Sequence, residues 1–208
     1  MFDPDVEPIS VSIMTGVRWA SLPSGARRSA IRGQIRGGGA TNPHATLLSL
    51  SKGYLTKKHS KVTALKGARR VKDIGKRRDI RRCLKNLMRL VPIVSETARP
   101  LPPLSRRKGS RGLVEFKVTP HVHIEGDANR YIGLWANHGP PLSWKSARLY
   151  AQMMRESMAP PEGKPSTFEI IDMRHRAHHV YDTDDLDDDA SDLYAFIEQI
   201  ENVIEELR

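Results

Sequence analysis

Three polar side chains alternate with apolar ones near the middle of the chain. His121, His123 and Glu125 are separated by Val122 and Ile124. Because successive side chains of a strand point to opposite faces, this spacing would place two imidazoles and one carboxylate on one face. Imidazole and carboxylate groups bind divalent cations such as Zn²⁺, Mn²⁺ or Fe²⁺. The three residues are therefore a candidate metal site, and the alternative is that they are ordinary surface side chains.

A tyrosine downstream could act together with such a metal ion. Tyr150 lies in a helix that the sequence predicts over residues 143–158. A His-hydrophobic-His strand with a tyrosine on a later helix resembles the rolling-circle and relaxase-type nucleases, and implies attack of the tyrosine oxygen on a metal-polarised phosphodiester. The chain departs from that pattern at residues 151–155, which contain neither a second tyrosine nor a lysine. Because of the resemblance, and despite this departure, a small metal-dependent tyrosine nuclease or replication protein is the alternative function. Its cofactor would be a divalent cation.

The main indication of function is the uneven distribution of charge along the 208 residues. There are 34 Lys and Arg against 24 Asp and Glu, which gives a net charge of +10 and a sequence pI near 9.9. Residues 27–111 contain 24 basic and three acidic residues, a net +21. Residues 179–208 contain one basic and 11 acidic residues, a net −10. The excess of positive charge in the first segment favours a polyanionic partner, and we expect nucleic acid.

Within the basic segment, residues 76–91 predict an amphipathic helix that ends before Pro92. Its apolar residues recur at spacings of three and four: Ile80, Cys83, Leu84, Leu87, Met88 and Val91. The opposite face carries six Lys and Arg side chains, with Asp79 as the single acid among them. A solvated helix face usually mixes the two signs of charge, because like charges four residues apart repel. We therefore predict that this face contacts phosphates; an anionic membrane surface and an unliganded face are the alternatives.

The predicted phosphate-binding residues extend beyond this helix. They begin in residues 24–43, a Gly- and Arg-rich segment that the composition predicts to be a flexible or extended arm, with a disordered linker as the alternative. They end in residues 95–112, a linker that contains prolines and serines. Tyr54 is the only aromatic residue in the basic block, so we expect contacts with phosphates rather than with bases. The predicted set is Arg27, Arg28, Arg32, Arg36, Lys57, Lys58, Lys61, Arg69, Arg70, Lys76, Arg77, Arg78, Arg81, Arg82, Lys85, Arg89, Arg106, Arg107, Lys108 and Arg111.

The remaining elements predict an α+β fold with a small mixed or antiparallel sheet and a packed helix. A first strand is predicted at residues 9–17. Residues 113–124 alternate as a half-buried strand that Pro120 places at an edge or a bulge, and residues 131–136 return beside it. Ser143 caps the helix, and residues 168–173 predict a further strand. Residues 173–181 predict a polar connector; the alternative is that their cationic side chains extend the anion-binding surface, namely Arg174, His175, Arg176, His178 and His179. We divide the chain into residues 1–51, 52–94, 95–112, 113–178 and 179–208.

The acidic C-terminal segment predicts an amphipathic helix with a heptad repeat. Its apolar residues step alternately by four and three from Leu186 to Leu207. Three heptads are at the lower limit for a coiled coil, so the helix either associates with another copy or docks on the core of its own chain. The predicted oligomerisation residues are Leu186, Leu193, Ile197, Ile200, Ile204 and Leu207.

Several classes of protein are excluded or disfavoured. No apolar run approaches the roughly 20 residues of a membrane span, and the acidic start of the chain does not have the pattern of a signal peptide. The single cysteine, Cys83, excludes an intrachain disulfide and a cysteine-based zinc site, and we predict it to be a small buried hydrophobic residue. The expected location is the cytoplasm, the nucleus or a virion.

Together these features predict a non-enzymatic protein that binds nucleic acid and assembles. A ribonucleoprotein component, or a virion protein of the matrix, core or nucleocapsid type, would have this distribution of charge. RNA is favoured over DNA, no cofactor is expected, and we predict a homo-oligomer or a subunit of a larger assembly.

Overall fold

The computed structural model describes residues 7–36, 44–91, 97–99, 101, 104–158, 164–187 and 190–208. The helices in these ranges are α1 (Ile13–Ala20), α2 (Ser24–Ile35), α3 (Ala45–Leu55), α4 (Lys61–Arg69), α5 (Ile74–Leu90), α6 (Trp144–Ser157), α7 (Thr183–Asp187) and α8 (Ser191–Leu207). The strands are β1 (Ile9–Ser12), β2 (Thr97–Arg99), β3 (Ser105–Lys108), β4 (Val114–Val118), β5 (Val122–Glu125), β6 (Asn129–Trp135), β7 (Ser166–Asp172) and β8 (Ala177–Asp182). The fold class is α+β, as the sequence predicts. Among the described helices, none has both the length and the apolar character needed to cross a membrane.

The strands form two sheets. The smaller has the order β1-β4-β3, with β1 parallel and β3 antiparallel to β4. The larger has the order β2-β5-β6-β7-β8, in which only the β6–β7 pair is parallel. The predicted hairpin is confirmed as β5 and β6, and the predicted strand at 168–173 is confirmed as β7.

The larger sheet is covered on both faces. Alternate residues of its strands, such as Ile132 and Ile171, pack with apolar residues of α3, α4 and α5. Residues of the opposite parity, such as Tyr131 and Phe168, join a second core with α6, α8 and the smaller sheet. The three helices α3–α5 therefore form one outer layer, whose other surface faces solvent.

The N-terminal region is more helical than the sequence predicts. The strand predicted at residues 9–17 ends at Ser12, because the Ser12 hydroxyl accepts a hydrogen bond from the Thr15 backbone N–H at 3.2 Å and caps α1. The predicted flexible or extended Gly/Arg arm is wrong over residues 24–35, which form α2. Ile31 is fully buried there, and this burial outweighs the helix-weakening effect of two exposed glycines. The rest of that arm, residues 37–43, lies outside the described residues.

Three further segments differ from expectation. The single strand predicted at 113–124 is two strands, β4 and β5, which belong to different sheets and are separated at Pro120. Proline has no backbone N–H for the ladder, so strand pairing breaks there. The predicted linker 95–112 contributes β2 and β3 to the sheets. The predicted polar connector 173–181 contains β8. The Nε2 of His178 on this strand lies 2.9 Å from the carboxylate of the buried Glu169 on β7.

The acidic C-terminal helix packs against the core of its own chain. Leu193, Ile197, Ile200 and Ile204 on α8 are all less than 5% exposed within the second core, and Leu186 on α7 joins them. Leu207 is partly buried against the same core. The prediction that these side chains mediate oligomerisation is therefore wrong, and the alternative of docking on the chain's own core is confirmed. The apolar face was wider than a coiled-coil seam because Phe196 also enters the core.

Candidate nucleic-acid interface

The predicted basic helix is confirmed as α5, and its apolar side is held against the larger sheet. Asp73 caps its first turn by accepting a hydrogen bond from the Lys76 backbone N–H at 2.7 Å. Cys83, Leu84 and Leu87 are fully buried in the core with α3, α4 and the sheet. Burial raises the pKa of the Cys83 thiol to about 11, with a smaller contribution from the charge of Asp79, so this thiol is an inert core group.

The solvent side of α5 forms a groove of about 360 Å³ lined mainly by cations. Five of its lining side chains are positively charged and the sixth is Asn86, which donates a hydrogen bond to the Met173 carbonyl at 3.0 Å. The charged residues are Arg78, Arg81, Arg82, Lys85 and Arg89. The Nε of Arg81 is buried and has no hydrogen-bond acceptor within the described part of the chain.

Asp79, the only acid on this helix, is held by a residue from another part of the fold. Its carboxylate accepts hydrogen bonds from both terminal nitrogens of Arg174, one of them at 2.7 Å, and from Arg82 at 2.9 Å. Burial alone would raise the pKa of Asp79, but the hydrogen bonds and charge of Arg174 outweigh it and leave the pKa below its ordinary value. The Asp79 charge is therefore shared between Arg174 and the groove residue Arg82, and it leaves the other four groove cations without an ion pair among the residues that the structure describes.

Other predicted cations surround the groove on the same layer of helices. Residues 44–91 contain 15 Lys and Arg and only two acids, Asp73 and Asp79. The exposed predicted residues in this layer, besides those of the groove, are Lys57, Lys58, Lys61, Arg69, Arg70 and Lys76. Arg77 has a structural role instead, because its guanidinium donates to the backbone carbonyls of Val71 and Lys72 at 2.9 and 3.2 Å. These contacts fix the turn between α4 and α5.

The predicted arginines near the C-terminal helix are in different surroundings. Arg111 donates to Glu205 at 2.7 Å and to Asn202 at 2.6 Å, and Arg28 is paired with Glu206. Arg106 pairs with Glu115 at 2.8 Å. Arg107 pairs with Glu156 and lies over the Tyr194 ring, while Arg27 donates to the Trp19 and Leu22 carbonyls. Arg32, Arg36 and Lys108 are exposed.

The candidate metal residues do not converge on one open site. The Nδ1 of His121 accepts a hydrogen bond from the Leu134 backbone N–H at 3.0 Å and lies 3.4 Å from the Tyr150 hydroxyl. His123 stacks on Tyr131 with ring centroids 4.7 Å apart, and Glu125 is paired with Arg99 and with Lys164. Across the described ranges, no three His, Cys, Asp or Glu side chains are grouped to hold a metal ion. His121 and His123 line the same cavity, whereas Glu125 does not and is held by its ion pairs.

The candidate nucleophile is enclosed by the protein. Tyr150 is fully buried on α6, and burial raises the pKa of its hydroxyl. A Cβ on Gly133 would lie 3.0 Å from the Tyr150 ring, so the strand packs directly on it. A phosphodiester cannot reach this oxygen, and Tyr150 is a packed core aromatic in this fold.

The comparisons with known proteins do not identify a family. No protein-family model matches the chain, and no curated protein is significantly similar to it. The sequence offers Arg174 only as an alternative anion-binding side chain, and it does not indicate that Arg174 anchors Asp79, which lies 95 positions away. It gives no indication of the role of Asn86, whose hydrogen-bond partner Met173 lies 87 positions away. Nothing in the local sequence around either residue signals such a contact.

Proposed function

We propose that this protein binds nucleic acid without enzymatic activity, through the groove on α5 and the exposed cations around it. The observation that carries the proposal is a groove lined by five Lys and Arg side chains, of which only Arg82 has an ion-pair partner among the described residues. Phosphate oxygens carry negative charge and are strong hydrogen-bond acceptors. One guanidinium group can donate two parallel hydrogen bonds to the same phosphate. The lining contains no aromatic ring, which favours contact with the backbone over stacking on bases.

The proposed binding mode is electrostatic and largely independent of sequence. Each phosphate neutralised by a Lys or Arg releases condensed counterions, so the affinity would fall steeply as salt is added. RNA is proposed ahead of DNA as the natural partner. The protein would act as one subunit of a larger nucleic-acid assembly, in the cytoplasm, the nucleus or a virion.

The test compares two variants that lose the same amount of charge. The groove variant is Arg78→Gln, Lys85→Gln and Arg89→Gln, whose side chains line the groove. The control is Arg28→Gln, Arg106→Gln and Lys145→Gln, whose side chains are paired with Glu206, Glu115 and Asp192. Binding to single-stranded RNA and to duplex DNA of equal length is measured by fluorescence anisotropy over a salt series.

For single-stranded RNA, we expect the groove variant to lower the slope of log affinity against log salt by about 2, at roughly 0.7 per lost contact. The control should keep at least two thirds of the wild-type slope. A wild-type affinity that does not change with salt would overturn the proposal. An equal loss in both variants would also overturn it, because overall charge rather than the groove would then be responsible.

A further inference from the structure

A second cavity lies between the C-terminal end of α3 and the edge of the larger sheet, away from the residues that line the α5 groove. Its volume is about 390 Å³, within the range of small-molecule sites. Six nitrogen-bearing side chains contribute to its lining: Lys52, Lys58, His59, Arg99, His121 and His123. Among the described residues that line it, none is Asp or Glu. The cavity therefore offers hydrogen-bond donors and positive charge to whatever enters it.

Lys52 is a positively charged residue of the cavity lining. Its side chain is half-buried, and burial lowers its pKa. No carboxylate or other acceptor for its ammonium group is found among the described residues. Removing an ammonium group from water is costly unless an anion compensates it. This residue therefore favours an anionic ligand over a neutral one.

His121 adds a neutral donor from the sheet side. Its Nδ1 accepts a hydrogen bond from the Leu134 backbone N–H, so the proton of the neutral ring is on Nε2. Burial, with a smaller contribution from the charge of Lys52, lowers the pKa of His121 to about 3. The ring therefore remains neutral at any pH above that value and offers an N–H donor whose state does not vary.

The turn after α3 is shaped to bring two further donors over the cavity. Lys57 has a positive φ of 58°, which reverses the chain, and the His59 backbone N–H donates to the Gly53 carbonyl at 2.8 Å. A Cβ on Gly53 would lie 2.2 Å from the His59 ring, so only glycine lets the ring approach this closely. Lys58 and His59 are therefore positioned by backbone geometry before any ligand binds.

We propose that this cavity binds a phosphate monoester of mononucleotide size. The phosphate would lie between Lys52, Lys58 and the Nε2–H of His121, and Leu101, which is exposed, provides apolar surface for the ribose or the base. Such a group is found in a free nucleoside monophosphate and at the terminus of a nucleic-acid strand. The inference does not depend on the α5 groove binding nucleic acid, because the two sites share no lining residue.

The test uses adenosine monophosphate, inorganic phosphate and adenosine as probes in calorimetric titrations of the full chain. We expect adenosine monophosphate to bind, inorganic phosphate to compete with it, and adenosine to bind at least about tenfold more weakly, because it lacks the charge-assisted hydrogen bonds. Lys52→Gln should weaken binding of the monophosphate by about tenfold or more. Lys58→Gln changes an exposed residue and should weaken binding without affecting folding.

Two matched variants separate this site from its surroundings and from the proposed function. Lys66→Gln removes an exposed charge on α4 and should leave the affinity for adenosine monophosphate unchanged. The Arg78/Lys85/Arg89→Gln groove variant should also bind the monophosphate like the wild type. The proposal is overturned if adenosine monophosphate does not bind at millimolar concentration, or if neither Lys52→Gln nor Lys58→Gln weakens it. A loss in the groove variant equal to that in Lys52→Gln overturns it as well.

A final comparison distinguishes the two sources of the phosphate. An oligonucleotide with a 5′-phosphate and its 5′-hydroxyl counterpart are titrated into the wild type and into Lys52→Gln. Tighter binding of the phosphorylated strand that disappears in Lys52→Gln supports the proposal with the strand terminus as the ligand. Equal binding of both strands, together with retained binding of adenosine monophosphate, supports it with the free nucleotide as the ligand.

Discussion

The α5 groove and the arginines beside α8 are both rich in positive charge, yet they differ in what surrounds the charge. Arg111 and Arg28 contact Glu205 and Glu206 on α8, which belong to the acidic C-terminal segment. The groove residues Arg78 and Arg89 have no ion-pair partner within the described ranges. In the first region the arginines are paired with carboxylates, whereas among the described residues of the second only Arg82 is, through Asp79.

This difference separates formal charge from charge that is available to a partner. The +21 of residues 27–111 overstates the positive surface, because part of it is matched by the −10 of residues 179–208. What stays unmatched is concentrated in the helices α3–α5. The acidic helix therefore neutralises part of the positive charge and leaves the unmatched basic surface on α3–α5.

The largest effect is expected where α8 meets the core. Ile200→Ala removes a fully buried side chain and should lower the free energy of unfolding by about 2–5 kcal/mol, because it leaves a cavity. The measurement is equilibrium unfolding in urea. Glu198→Ala changes an exposed residue of the same helix and should shift this free energy by less than about 0.5 kcal/mol. If Ile200→Ala unfolds like the wild type, α8 is a separate association helix and the two regions do not differ as described.

A pair of arginine variants tests the comparison directly. Arg111→Ala removes hydrogen bonds to Glu205 and Asn202 and should cost about 1–3 kcal/mol of stability, with little change in RNA affinity. Arg89→Ala should do the opposite, with a stability change under about 0.5 kcal/mol and a clear loss of RNA affinity. Urea unfolding and RNA titration are measured on both proteins. The same pattern in both variants would remove the distinction between the two regions.

The smallest effect is expected at the exposed end of α8. The side chains of Arg28 and Glu206 are 43% and 57% exposed, so their ion pair is screened by water. Arg28→Ala should lower the free energy of unfolding by less than about 1 kcal/mol, and added salt should reduce this difference. Thermal unfolding at low and high salt measures it. If Arg28→Ala loses more RNA affinity than Arg89→Ala does, Arg28 belongs to the RNA interface, and its assignment to the ion-paired region is wrong.

Much of the fold could be predicted because local patterns encode it. The 3–4 spacing of Cys83, Leu84 and Leu87 predicts α5, and Ser143 marks the start of α6, where its hydroxyl accepts the Ser146 backbone N–H at 3.1 Å. α2 was missed because its helix depends on the burial of Ile31 by distant elements. Sequence periodicity does not carry that information.

The candidate sites divide in the same way. The cationic face of α5 follows from its own residues, whereas the state of Asp79 depends on Arg174, which is 95 residues away. The metal-site prediction failed because Glu125 is paired with Arg99 and Lys164, while His121 accepts the Leu134 backbone N–H. Alternation alone cannot show which partners a side chain finds.

The contact between Asp79 and Arg174 has a consequence for the order in which the protein is completed. The ribosome makes the basic helix well before it makes Arg174 and the strands that cover the apolar side of that helix. Domains generally fold as units once enough of the chain has emerged. A nascent chain that ends before residue 173 therefore contains all five groove cations, but neither the Arg174 anchor of Asp79 nor the Met173 carbonyl that holds Asn86. The groove cations are synthesised early, and the contacts that hold Asn86 and Asp79 form only after residues 173 and 174 have been made.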